Sequence, residues 1–272
     1  MSTIQAIVIL CLVSGEPSLH YTITNNYICK EFLDKEYTPS SPEQAIILDI
    51  KSKYIYRVHQ EEKLLKEKYK GTGRWRAMDL DREVVGLKKS PAIYGGECVE
   101  VKIVTSGLDQ LGLNLEVAED APKGFSIHQL CEIPELFSFL PADKEVLSFL
   151  SFFHLDEIQG LSEGYWFEHQ YYDETYGVKH MHAEIASISN MEIPNGFITE
   201  QLAYPLVSEL NYFGKDELLR KLNDAKSNTL ILPRMINEAK KSDSFEKAHI
   251  YERLLENNYS EIERIRSILQ GQ

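Results

Sequence analysis

The chain has 272 residues, 43% of them hydrophobic and 26% charged, with a formal net charge of −13. That length buries a sizeable core in one large domain or two modest ones, and the composition is that of a globular protein. The acidic excess excludes a general grip on phosphate backbones, which depends on Lys and Arg displacing counterions, and suits capture of a basic partner by electrostatic steering.

The apolar run Ile4–Val13 has no Lys or Arg before it and is too short to span a bilayer, so it reads as a buried strand and no membrane partner is expected. Residues 14–18 form a turn, and Leu19–Ile28, rich in β-branched and aromatic residues, predicts a second strand. After a loop at Tyr37–Pro42, the segment Ala45–Val58 reads as a long strand or a bent hairpin arm, and the charged stretch Gln60–Tyr69 as a helix. The patch 70–76, KGTGRWR, combines two glycines with basic residues, which could cradle a phosphate, but it lacks the Walker ending and reads more simply as a turn. Gly96–Val104 and Leu113–Val117 predict strands, while Ser126–Phe139 and Ala142–Phe153 predict helical segments.

Tyr165–Ile188 reads as two strands joined by a turn at Asp173–Gly177. Pairing Tyr172 with Val178 would set Gln170 opposite His180, Glu168 opposite His182 and Trp166 opposite Glu184. Alternation along each strand would then gather Glu168, Gln170, His180, His182 and Glu184 on one side. Imidazoles and carboxylates are the usual ligands of zinc, manganese or iron, so Glu168, His180, His182 and Glu184 are candidate ligands for a divalent metal. Successive members of the His180-x-His182-x-Glu184 series are roughly 6.5–7 Å apart along the strand. His182 with Glu168 across the ladder is therefore the better pair. The plainer reading is a hairpin with one buried and one solvated face.

Beyond about residue 195 the chain turns helical, interrupted at Tyr204-Pro205 and Leu232-Pro233. The expected fold is α+β: a mostly antiparallel sheet with flanking helices over 1–194, then a C-terminal helical segment over 195–272. The cysteines Cys11, Cys29, Cys98 and Cys131 lie far apart without CxxC spacing. Neither a structural zinc site nor a disulfide scaffold is expected, and a reducing cytoplasm is the expected compartment.

Two acidic-x-Lys triplets follow apolar residues, Asp49-Ile50-Lys51 and Glu100-Val101-Lys102. They resemble the core of the PD-(D/E)xK nuclease superfamily. The resemblance implies a divalent metal held by Asp49 with Asp34, or by Glu100 with Asp79 or Asp81, and Lys51 or Lys102 activating water. Nucleic acid is a partner only on that reading. Composition alone produces such triplets, and charged outer faces of strands explain both. At the C-terminus, Met235–Leu255 resembles the UVR motif, a helical hairpin of excision-repair proteins and of some Clp-associated adaptors, through Ala239, Phe245, Glu246, Ala248 and Leu255. The motif's Arg-Asp pair is replaced by a reversed Glu252-Arg253. What the resemblance implies is docking to a partner protein. The expected function is thus an acidic protein-binding module of adaptor or inhibitor (immunity) type, with a metal-dependent hydrolase as the alternative.

Overall fold

The computed structural model describes residues 2–33, 43–69, 82–105, 124–141, 143–150, 166–175, 178–242 and 245–271. The patch 70–76 and the expected strand Leu113–Val117 lie outside them. The chain is α+β, with a large antiparallel sheet and helices concentrated towards the C-terminus. One compact unit ends at Leu206 and a second begins at Val207.

The strands are β1 (Thr3–Val13), β2 (Glu16–Ile23), β3 (Tyr27–Phe32), β4 (Glu43–Asp49), β5 (Tyr54–His59), β6 (Leu64–Lys68), β7 (Arg82–Ile93), β8 (Gly96–Thr105), β9 (Gly124–Glu132), β10 (Trp166–Thr175) and β11 (Val178–Pro194). They form one sheet in the order β6-β5-β4-β3-β2-β1-β11-β10-β9-β8-β7. The chain therefore starts at the middle of the sheet and walks out to one edge. It resumes at the other edge and walks back until β11 pairs with β1, from Thr3↔Pro194 to Val13↔Ala183. Tight turns make the β1–β2 and β7–β8 reversals. Ser14-Gly15 and Tyr94-Gly95 both have positive φ at their two central residues, the arrangement whose twist matches the flanking strands.

Burial follows from this layout. Ile7, Ile9, Tyr21, Ile28 and Leu48 share one core with Phe167, Ile185 and Ile133, while Cys29, Ala45, Ile47, Val58 and Leu64 pack in another with Ile198 of α2 (Gly196–Leu202). Strands β3 to β5 are thus buried on both sides, which is why AIIL at 45–48 is apolar without alternation. Strands three apart in a flat sheet are separated by about 14 Å. Tyr21 of β2 nevertheless meets Phe167 of β10 with ring centroids 5.3 Å apart, so the sheet curls towards that face. Val146 and Leu150 of α1 (Lys144–Leu150) join the same core.

Three segments differ from expectation. Leu19–Ile28 splits into β2 and β3 because the Thr24 hydroxyl caps a turn at Asn25-Asn26, accepting from the Tyr27 amide at 3.0 Å. Gln60–Tyr69 contributes β6 rather than a helix. Its helix-favouring residues are overridden by pairing with β5, where Arg57 reaches Glu43 on one neighbouring strand and Glu67 on the other. Ser126–Phe139 contains β9, held by ladders on both sides, before a 3-10 turn at Pro134–Ser138.

In the second unit, α3 (Glu209–Phe213) starts at Ser208, whose hydroxyl accepts from the Asn211 amide. The long helices α4 (Lys215–Lys241) and α5 (Phe245–Gln270) pack together, and α4 continues through Pro233. That proline is exposed, and the apolar seam to either side outweighs its lost hydrogen bond. Buried positions on α4 recur at alternating spacings of three and four, as at Leu218, Leu222 and Ala225, then Leu232, Ile236 and Ala239. Between these two groups the seam turns polar at Thr229, and Asn228 donates to the Asn258 amide oxygen of α5 at 3.3 Å.

Cys98 and Cys131 stand directly opposite each other on β8 and β9, with Cα atoms 4.1 Å apart, and form a disulfide. Sequence spacing does not announce this bridge, because strand register alone brings together two residues 33 apart. A loop of that size predicts that reduction, or the double change Cys98→Ala/Cys131→Ala, costs about 3–4 kcal/mol. Denaturant unfolding with and without reductant measures it, and an unchanged midpoint would count against a native bridge.

Candidate functional site

The metal-ligand candidates singled out in the sequence fall on β10 and β11. The hairpin register differs from the expected one: Tyr172 pairs with His182 and Gln170 with Glu184, because the strands run on to Thr175 and Val178 before turning. A second difference decides the geometry. The β9–β10 ladder shifts between Glu168 and Gln170, leaving His169 as an extra residue. A bulge of this kind resets the side-chain alternation. Glu168 and Gln170 accordingly belong to two different hydrogen-bonded groups rather than to one face.

The first group centres on His128 of β9. Its Nδ1 lies 2.6 Å from Glu168 Oε1 and its Nε2 lies 2.7 Å from Ser126 Oγ. The His128 side chain is only 1% exposed and that of Glu168 10%. The Tyr171 ring lies against the imidazole, with centroids 4.6 Å apart and planes at 32°. The buried ammonium of Lys30 is in the same neighbourhood. Burial lowers its pKa, while the Cys11 thiol and Glu168 oppose that shift. Burial likewise drives the Cys11 thiol up to about 12, which makes it inert as a nucleophile.

The second group joins the β7–β8 turn to the hairpin. Tyr94 places its hydroxyl 2.9 Å from His169 Nδ1. The Tyr172 and His182 rings stack at 4.5 Å with planes 12° apart. Gln170 Nε2 lies 2.5 Å from the Tyr172 hydroxyl and 3.2 Å from His182 Nε2, and Glu184 is 3.8 Å from that same nitrogen. His182 and Glu184 are therefore brought together, but Glu168 turns to His128 instead. The backbone of His180 lies in β11, and its side chain is outside the described residues. Among the described residues no group of three or more His, Cys, Asp or Glu side chains is placed to hold a metal ion.

The acidic-x-Lys triplets take different positions. Asp49 ends β4, and its Oδ1 accepts from the amides of Lys51 and Ser52, both at 3.0 Å, so the carboxylate builds the β4–β5 turn and Lys51 sits in that turn, exposed. Glu100 and Lys102 do share one side of β8, both exposed, with Lys102 lying over the Phe125 ring at 4.2 Å. Asp34, Asp79 and Asp81 lie outside the described residues.

The sequence alone does not single out Ser126, and the helix expected over Ser126–Phe139 sets His128 three residues before Cys131, where it reads as simple packing. The alternation Ser126-Ile127-His128 was the available signal, since it sets the two polar side chains on one side of a strand. No family model matches the chain, and no curated protein matches it.

Burial depresses the pKa of His169, His182 adds to this and Glu184 opposes it, so the folded state favours the neutral ring. The unfolded chain then binds more protons, and stability must fall as pH drops below the ordinary histidine range. Unfolding free energy measured from pH 7.5 to 5 is expected to decline, with a shallower slope in His169→Gln. An unaltered slope in that variant would remove His169 from the account.

Proposed function

We propose that the protein is a protein-binding module, of adaptor or inhibitor type, that recognises a basic partner through its acidic sheet-bearing unit. The observation that carries this reading is where the charge resides. Residues 207–272 hold eleven acidic and eleven basic residues, so the helical unit is neutral. Residues 1–206 hold thirty-one acids against eighteen bases and carry the whole net charge of −13. Self-repulsion within one unit costs stability, and a complementary basic surface would offset it while accelerating encounter.

The α4–α5 hairpin offers a second contact element, as the UVR resemblance implies. Ala239 and Ala248 are buried where the two helices meet, whereas Phe245 is 67% exposed at the start of α5. An aromatic side chain at that exposure suits anchoring in a partner's pocket. Flanking of the sheet by helices belongs to the same proposal. No helix among the described residues is long and apolar enough to cross a membrane. Compartment follows from redox state: the cytoplasm expected from cysteine spacing would keep Cys98 and Cys131 reduced, whereas a bridge that persists in cells would place the protein in an oxidising compartment.

Cross-linking in the native cells, followed by reconstitution with the purified captured protein, tests the proposal. Raising ionic strength from about 0.1 to about 1 M shortens the Debye length from about 10 to about 3 Å. The expected partner is basic, and its affinity falls at least tenfold over that range. A neutral or acidic partner bound with salt-independent affinity would overturn the reading.

A further inference from the structure

We infer that Ser126, His128 and Glu168 form a Ser–His–Glu relay in which Ser126 is a nucleophile towards carboxylic esters. The assignment rests on which nitrogen meets which oxygen. With a carboxylate at Glu168, which can only accept, the 2.6 Å contact has His128 Nδ1 carrying the hydrogen and donating to Glu168. In the neutral ring, Nε2 is then the acceptor, and the Ser126 hydroxyl, 2.7 Å away, donates to it. This is the polarity that a serine nucleophile needs: a base on its proton, and a carboxylate behind the base that fixes its tautomer and stabilises the imidazolium as it forms.

The scaffold holds that arrangement from three sides. Alternation along β9 sets Ser126 and His128 two residues apart, the bulge at His169 turns Glu168 towards Nδ1, and Tyr171 fixes the plane of the ring. The imidazole is nearly sealed from solvent, whereas Ser126, like Glu168, is half-buried, so the nucleophile is more accessible than its base. Val101 and Ile103, the register partners of His128 and Ser126 on β8, belong to an apolar cluster with Leu130 and Trp166.

In the reaction, Ser126 Oγ bonds to the ester carbonyl carbon as its proton passes to His128 Nε2. The tetrahedral adduct then collapses, the bond from carbon to the leaving oxygen breaks, and Nε2 returns the proton to release an alcohol. Water, deprotonated in turn by Nε2, cleaves the acyl-serine to the carboxylic acid and restores Ser126. Glu168 is a positioning residue throughout, and no co-reactant beyond water is needed. This activity is separate from partner capture, because it needs neither a basic protein nor the helical unit's contacts.

The test uses the full-length protein with a fluorophosphonate probe and with p-nitrophenyl butyrate. One adduct is expected, mapped to the Ser126 peptide, and absent in Ser126→Ala. Because His128→Ala would open a cavity in the sheet, Glu168→Gln carries the second arm, with folding checked by circular dichroism. It should lower the labelling rate and kcat by about 10²–10⁴-fold while leaving KM near its original value. Absence of both adduct and turnover in the native protein would overturn the assignment. So would labelling that survives Ser126→Ala, or a folded Glu168→Gln protein that reacts at the original rate.

Discussion

The pairing of β1 with β11 is the constraint on which the rest of this structure depends. Each of the two meanders, β1 to β6 and β7 to β11, pairs strands that are consecutive in the sequence. Among the described strands, the ladder between the first and the last is the backbone pairing that joins them, across nearly two hundred residues of chain, and the Tyr21–Phe167 contact adds side-chain packing between them. Closing so long a loop costs conformational entropy, and the cost grows only slowly with length. The residues of β1 supply the compensation: Ala6, Ile7 and Ile9 are fully buried, and Ile9 faces Ile188 across the ladder. The apolar segment Ile4–Val13 is thus at the centre of the sheet.

The same ladder positions the polar groups. With β11 fixed against β1, β10 and β9 follow in register, and the irregularities become functional geometry. The bulge at His169 separates what a regular hairpin would have gathered. It sends Glu168 to His128 and leaves His182 with Tyr172, Gln170 and Glu184. A one-residue insertion of this sort reverses every side chain beyond it.

How much of this was legible in the sequence depends on how local the cause is. β1, β8, the hairpin strands and the C-terminal helices could be read because alternation, apolar runs and helical periodicity are local signals. β6 and β9 could not, because their residues favour helix or are ambiguous and become strands only through neighbours supplied by distant segments. The Cys98–Cys131 bridge, the bulge at His169 and the Ser126–His128–Glu168 contacts are all products of register between strands, which spacing along the chain does not encode. The polar layer at Thr229, Asn228 and Asn258 is a middle case. Its interruption of the apolar spacing is local to α4, but the Asn228–Asn258 pairing exists only once α5 packs alongside.

The β1–β11 ladder is therefore expected to be the last part of the sheet to open. Native-state hydrogen exchange reads this strand by strand, since amides that exchange only through global unfolding share the full unfolding free energy. The amides of β1 and of β11 from Ile185 to Ile193 should be the slowest in the protein, with edge strands β6 and β7 opening at lower cost. If β1 exchanges through a cheaper, local opening while β2 to β5 stay protected, the ladder is not the clasp of the sheet, and the two meanders are stable without it.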